Sequence, residues 1–266
     1  MTRASTVSEH HTFTMLSELH ALQSVLDSMP APRTVLDVGC GSVAYVNFRN
    51  AEVTGIDVCQ ANVDRNQKLA HKIVADVEKL PLPKETFDAV LCWDVLEHLS
   101  SPMGTLERLC GCLTPGGIMV IAFPNVLSLK GLVTKFTPHG FHVWVYKHFY
   151  SSQNCPYAEP FPTYLRFSMS PVSIKRFAAA HAMAIEYLKL YESPEVRNMR
   201  ARRKLINTCL ALIRRASLLL MRHDTDLTDC IMVLRKGQDR SAVTSSPSKD
   251  YRDLTRQQAD SDLLVG

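Results

Sequence analysis

An acid followed at once by two glycines one residue apart is the pattern in this chain best suited to holding a nucleotide: Val35-Leu36-Asp37-Val38-Gly39-Cys40-Gly41-Ser42. The apolar residues Val35, Leu36 and Val38 suit a buried strand. The glycines let that strand turn tightly and bring bare backbone against a ligand, through dihedral angles that side chains disfavour. A second strand, Glu52 to Asp57, ends in another acid. In a doubly wound sheet this strand end lies beside the first, where Asp57 can accept hydrogen bonds from both hydroxyls of a ribose.

The glycines do not choose the nucleotide, because Gly39-x-Gly41-x-x-Ala44 also satisfies the dinucleotide pattern. Asp37 argues for a choice. Two residues before the first glycine, its carboxylate would face a pyrophosphate of like charge. S-adenosyl-L-methionine has no phosphate there and carries an ammonium and a sulfonium, both suited by a nearby acid. Residues 73–77, Ile-Val-Ala-Asp-Val, read as a third strand ending in Asp76, placed to accept from an adenine amino group with Val77 against the ring. Residues 87–99 read as a fourth strand whose carboxyl end opens into the site, and Leu113-Thr-Pro-Gly-Gly117 turns into an apolar fifth strand, Ile118 to Phe123. The expected cofactor contacts are Asp37, Val38, Gly39, Cys40, Gly41, Asp57, Val58, Asp76, Val77, Trp93 and Asp94.

Over about residues 33–125 the joint pattern resembles the class I S-adenosylmethionine-dependent methyltransferases. The likeness is to the small-molecule group that includes the ubiquinone-biosynthesis O-methyltransferases. It implies an α/β, Rossmann-like, doubly wound sheet of seven strands, mostly parallel with an antiparallel seventh, and helices on both faces. It also implies methyl transfer to a small-molecule acceptor, at a hydroxyl or phenol oxygen. Methylation of carbon or nitrogen, and cofactor binding without catalysis, stay open as alternatives. One departure is plain: Val43 stands where the family often has a third glycine, and the segment from there to the second strand is short.

Methyl transfer from a sulfonium is an in-line displacement, so the protein must align nucleophile, methyl carbon and sulfur and exclude water. An oxygen acceptor must also lose a proton, for which histidine is suited near neutral pH. His98, in Asp94-x-x-Glu97-His98, is the first candidate. A like-placed acid-x-x-Glu-His in the resembled O-methyltransferases and in small-RNA 2′-O-methyltransferases can bind a divalent metal. Acid/base work, metal ligation with Asp94 and Glu97, and a capping role therefore stand side by side for His98, and no metal is assigned. The region after Phe123 holds five prolines and three histidines among many aromatic residues up to Leu165. It is too long for an ordinary connection, and residues 124–169 are read as a substrate-binding insertion. His142 is the second catalytic candidate, and Asn125, His139, Trp144 and Tyr146 are expected to line the acceptor site. The aromatic character suits a planar or lipid-like acceptor.

A chain of 266 residues with 46% hydrophobic content can bury one full α/β core. The single domain is placed at 12–236, with disorder expected over 1–11 and 237–266. A helix is expected over 12–29, before Pro30, and another over 170–181. The sixth and seventh strands are expected at 185–191 and 229–236. Net charge of +4 gives no nucleic-acid signature. Eight scattered cysteines, without paired spacing, and an amino terminus without an apolar signal core point to a cytoplasmic protein with reduced thiols. The basic segment 197–222 is read as a helix packed on the sheet with a solvated face, or as a contact with an anionic membrane surface or an acidic substrate.

Overall fold

The computed structural model describes residues 17–136, 166–202, 204–221 and 224–238. A first helix, α1, covers 17–27, the described part of the expected 12–29 helix. Seven strands follow: β1 Thr34–Val38, β2 Glu52–Asp57, β3 His71–Val74, β4 Phe87–Trp93, β5 Leu113–Pro124, β6 Met183–Tyr191 and β7 Asp229–Lys236. Between them lie α2 (Gln60–Arg65), α3 (Pro102–Cys112), α4 (Leu129–Phe136), and helices Pro171–Ala180, Pro194–Arg202 and Lys204–Met221. They form one sheet in the order β3-β2-β1-β4-β5-β7-β6. The neighbours from β3 to β5 pair in parallel, and β7 runs antiparallel between β5 and β6. This is the expected architecture.

Why the strands read as unbroken apolar runs is visible in β4. Phe87, Val90 and Cys92 enter one buried cluster, while Ala89, Leu91 and Trp93 enter the other. Successive side chains point to opposite faces, and here both faces are covered. Helix α3, through Leu106 and Leu109, and helix Pro171–Ala180, through Ile174 and Phe177, build the first cluster; Leu22 and Leu26 of α1 build the second. Ser170 starts helix Pro171–Ala180 by accepting from the Ser173 N–H at 3.2 Å, an N-cap directly ahead of a proline at the first helical position.

Two local expectations change. The third strand stops at Val74, so Asp76 stands on the following loop and not at a strand end. The Thr114-to-Gly117 turn is an irregularity inside β5: Phe87 pairs with Leu113 and Ala89 with Ile118, so the chain bulges between those registers. Gly117 is needed there, because a Cβ would lie 3.0 Å from the Asp88 carbonyl oxygen.

The strand order reverses direction between β1 and β4, and ligands bind outside the carboxyl ends of strands at such a point. Asp88 fixes the opposite ends of those two strands. Its Oδ2 accepts from the N–H groups of Arg33 at 2.9 Å and Thr34 at 3.2 Å. Asp88→Ala strands both donors and should lower unfolding free energy by about 1–3 kcal/mol, read as a fall in urea midpoint without a change in slope.

Candidate active site

The turn after β1 is held by two neighbours. The N–H groups of Gly39 and Cys40 both donate to the Ile56 carbonyl, at 2.7 and 3.1 Å, tying the turn to β2. Gly39 has φ +65° and lies so close to Val95 that any Cβ would overlap that side chain. Gly41, at φ +52°, donates its N–H to Asp57 Oδ2 at 3.0 Å, and the Cys59 N–H donates to Oδ1 at 2.8 Å. Asp57 is thus the brace of the glycine turn. Each carboxylate oxygen has a further lone pair, which leaves it able to accept from ribose hydroxyls.

Asp37 is buried on the floor of a narrow cleft also lined by Gly39, Cys40, Val43, Tyr45, Val46, Leu91 and Trp93. Burial, and then the neighbouring Asp57, push its carboxyl up to about 7. The cleft wall is an aromatic pair, Tyr45 stacked on Trp93 with centroids 5.0 Å apart. Tyr45 was not among the residues singled out from sequence, and an aromatic residue in a short polar connection gave no signal. Val58 stands exposed beside Asp57.

No helix follows the glycine turn. Residues 39–51, from the end of β1 to the start of β2, contain turns and bends only. A dinucleotide pyrophosphate in this fold sits at the amino end of that helix, so its usual anion site is missing.

Asp76 is committed locally: its Oδ1 accepts from the Glu78 N–H at 2.9 Å and its Oδ2 pairs with Lys79 at 3.0 Å. The Glu78 bond, then Lys79, hold its carboxyl below the usual range. Val77 is buried in the larger apolar cluster and does not line the cleft, because the loop closes that cluster with its apolar residue. Arg108 reinforces the loop, donating to the carbonyls of Val77, Glu78 and Leu80.

Asp94 leaves β4 at φ +51°, a left-handed conformation that costs a non-glycine residue energy and is tolerated best by Asp and Asn. The chain then makes a short turn, Leu96–His98. This turn separates the three candidate ligands. Asp94 faces solvent, Glu97 is buried and His98 is half-buried with Nε2 3.9 Å from Glu97 Oε1. Among the described residues no three His, Cys, Asp or Glu side chains come close enough to hold a metal ion. Glu97 Oε2 is buried without a hydrogen-bond partner among those residues. Burial first, and then Asp94 and Asp229, push its carboxyl well above the usual range.

Asn125, expected at the acceptor site, is buried at the end of β5. It is 1% exposed, donates Nδ2 to the Leu227 carbonyl at 2.8 Å and accepts the Leu127 N–H at 3.1 Å. Its own N–H donates to the Thr228 carbonyl at 2.7 Å. Both polar atoms of the side chain thus have a partner within the fold, and they clamp the end of β5 to the loop before β7. His139, His142, Trp144 and Tyr146 lie outside the described residues.

Residues 36–121 match the family model described as "Methyltransferase domain". A ubiquinone biosynthesis O-methyltransferase from Rhodopseudomonas palustris (strain HaA2) is 33% identical over 132 residues, covering 41% of this chain and 50% of that protein. A tRNA (carboxymethyluridine(34)-5-O)-methyltransferase from Arabidopsis thaliana is 27% identical over 141 residues, covering 50% of this chain and 34% of that one. The chain spans about half the length of the first of these relatives or less of the second. Haemonchus contortus phosphoethanolamine N-methyltransferase 2, solved with S-adenosyl-L-methionine, superposes with TM-score 0.54 at 16% identity, over 84% of this chain and 53% of that one. It shares the fold.

Because Asp37 is raised from 3.8 to about 7, folding loses stability as pH climbs from about 4 through 7, and the loss levels off above that. Asp37→Asn, which cannot ionise, should therefore unfold later than wild type at pH 8, by about 1–4 kcal/mol, with the gap closing as pH falls toward 4. Thermal melts across that range check it.

Proposed function

With residues 36–121 a methyltransferase domain of the class I S-adenosylmethionine-dependent superfamily, we propose that the cleft between β1 and β4 takes S-adenosyl-L-methionine. We further propose that the chain methylates a small molecule at a hydroxyl or phenol oxygen. The observation that carries the cofactor reading is Asp37: a buried carboxylate on the cleft floor, beside a glycine turn with no helix behind it. That environment repels a pyrophosphate and favours a cation.

The residues present fit the cofactor. Asp37 answers an ammonium, Asp57 keeps acceptor capacity for a ribose, and the Tyr45–Trp93 pair gives an apolar wall. When bound, the cofactor supplies an electrophilic methyl group on a cationic sulfur. The chain's own part is to align the acceptor, exclude water and receive a proton. His98, half-buried where β4 gives way to its turn, is the base in this reading. Burial, and then Asp94, raise the Glu97 carboxyl and so favour its neutral form, which can donate a hydrogen bond to an acceptor oxygen or within the site. Oxygen is preferred as acceptor because both curated relatives cited carry O-methyltransferase names. An aromatic or lipid-like acceptor is preferred because of the aromatic residues between 136 and 165. A cytoplasmic setting rests on the cysteines, all free among the described residues.

Titration calorimetry with S-adenosylmethionine, S-adenosylhomocysteine and NAD tests the cofactor. The first two should bind at micromolar strength and NAD should not; preference for NAD sinks the reading. A cationic ligand favours ionised Asp37, so affinity should rise with pH up to about 7, by as much as about tenfold per unit, and then level off. Binding at pH 6 should release a proton, seen as heat that varies with the buffer used.

For chemistry, the full chain is assayed with labelled cofactor on phenols, catechols and long-chain phenols. Glu97→Gln keeps a donor of the same shape and should keep most of the turnover, while Glu97→Ala should lose about tenfold or more. Binding without turnover on any acceptor would instead support a non-catalytic binding protein.

A further inference from the structure

Helix Lys204–Met221 lies at the carboxyl edge of the sheet, where β6 ends, β7 starts and Tyr191, Asp229 and Pro124 stand in register. Acidic residues of that edge hold the two last helices in place. Arg200 pairs with Glu192 at 2.9 Å and with Asp226 at 2.5 Å, and Arg214 donates from Nε and Nη2 to Asp224 at 2.9 and 2.6 Å. Arg214 thereby defines the inward side of the helix.

The other side is apolar and open. Leu212 is 59% and Leu219 84% exposed, with Ile213 flanking Leu212; Leu218, four residues after Arg214, is exposed on the Arg214 side. Seven residues apart, Leu212 and Leu219 fall within roughly 20° of each other around the helix axis. Arg215, three residues after one and four before the other, is exposed on that same side. Residues 194–223 carry eight Lys and Arg against the single acid Glu195. Of the four whose side chains are described, Arg197, Arg200 and Arg214 are paired with acids of the fold and Arg215 is exposed. An exposed leucine row bordered by surplus positive charge is the pattern of a helix lying in a membrane interface. It does not span: among the described residues no helix is long and apolar enough to cross a membrane. A second copy is a poorer occupant, because a two-fold pairing would set this basic segment against itself.

We propose that helix Lys204–Met221 seats on an anionic lipid bilayer, with Leu212 and Leu219 at the acyl boundary and Arg215 among the headgroup phosphates. The carboxyl edge of the sheet, and with it the cleft, then faces the membrane. This uses no residue of the cleft and stands apart from the methyl-transfer reading.

The test is sedimentation of the full chain with phosphatidylcholine vesicles, with and without phosphatidylglycerol. The chain should pellet with the anionic vesicles, less as salt rises, and stay in solution with the neutral ones. Leu219→Glu and Arg215→Glu should each lower partitioning roughly fivefold or more, with unchanged circular dichroism, since both side chains are exposed. No pelleting with anionic vesicles overturns the proposal, as does pelleting that neither variant weakens. A dimer that Leu219→Glu converts to monomer, without vesicle binding by wild type, would assign the face to a second copy.

Discussion

A carboxyl group that the fold buries with another acid as its charged neighbour stands at the carboxyl edge of this sheet. Asp37 ends β1 under the glycine turn, and the nearest influence upon it is another acid, Asp57, at the end of the adjacent strand. Water would solvate this carboxylate far better than the cleft does. The arrangement is destabilising in isolation and favourable only with a cation alongside, so the site's poor solvation of Asp37 is the source of its selectivity. Backbone geometry serves the same end. Asp57 spends one lone pair from each oxygen on the Gly41 and Cys59 N–H groups, holding the turn open to the ligand side.

The exit of β4 is built differently from the glycine turn. At the glycine turn both Asp57 oxygens have a defined backbone partner. Past β4 the chain stores unfavourable features within five residues: a left-handed Asp94, a short turn at Leu96–His98 and a buried Glu97 oxygen with no partner among the described residues. Strain and orphaned polar atoms persist only where surrounding structure enforces them, and they gather at sites that act on ligands. Here the enforcing structure is the close packing of Val95 on Gly39, which couples the β4 exit to the turn after β1. Any shift of one moves the other. Asn125 and Asp88 do the complementary work of clamping chain ends, each by accepting or donating to backbone groups of distant segments.

What was legible in the sequence was whatever a residue type imposes on its own stretch of backbone. The two glycines announced a turn because only they accept its dihedrals, and Asp57 followed from being an acid at a strand end. The central strands β1, β4 and β5 could be placed because strands buried on both faces must be apolar throughout; the total of seven came with the family resemblance, and β7 was bounded correctly at both ends.

Tertiary structure decided everything that depends on a partner far along the chain. A polar residue just after β5 suits a ligand site and a clamp equally well. Leu227, about a hundred residues later, supplies the carbonyl that makes Asn125 a clamp. Tyr45 became a wall of the cleft only by stacking on Trp93. Asp94, Glu97 and His98 have metal-ligand spacing on an ideal helix, yet a short turn after a left-handed residue sends them into three environments. Val77 went into the core because an apolar side chain loses more by facing water than a cleft could return. Local backbone preference is written residue by residue; burial and hydrogen-bond partnership are properties of the assembled chain.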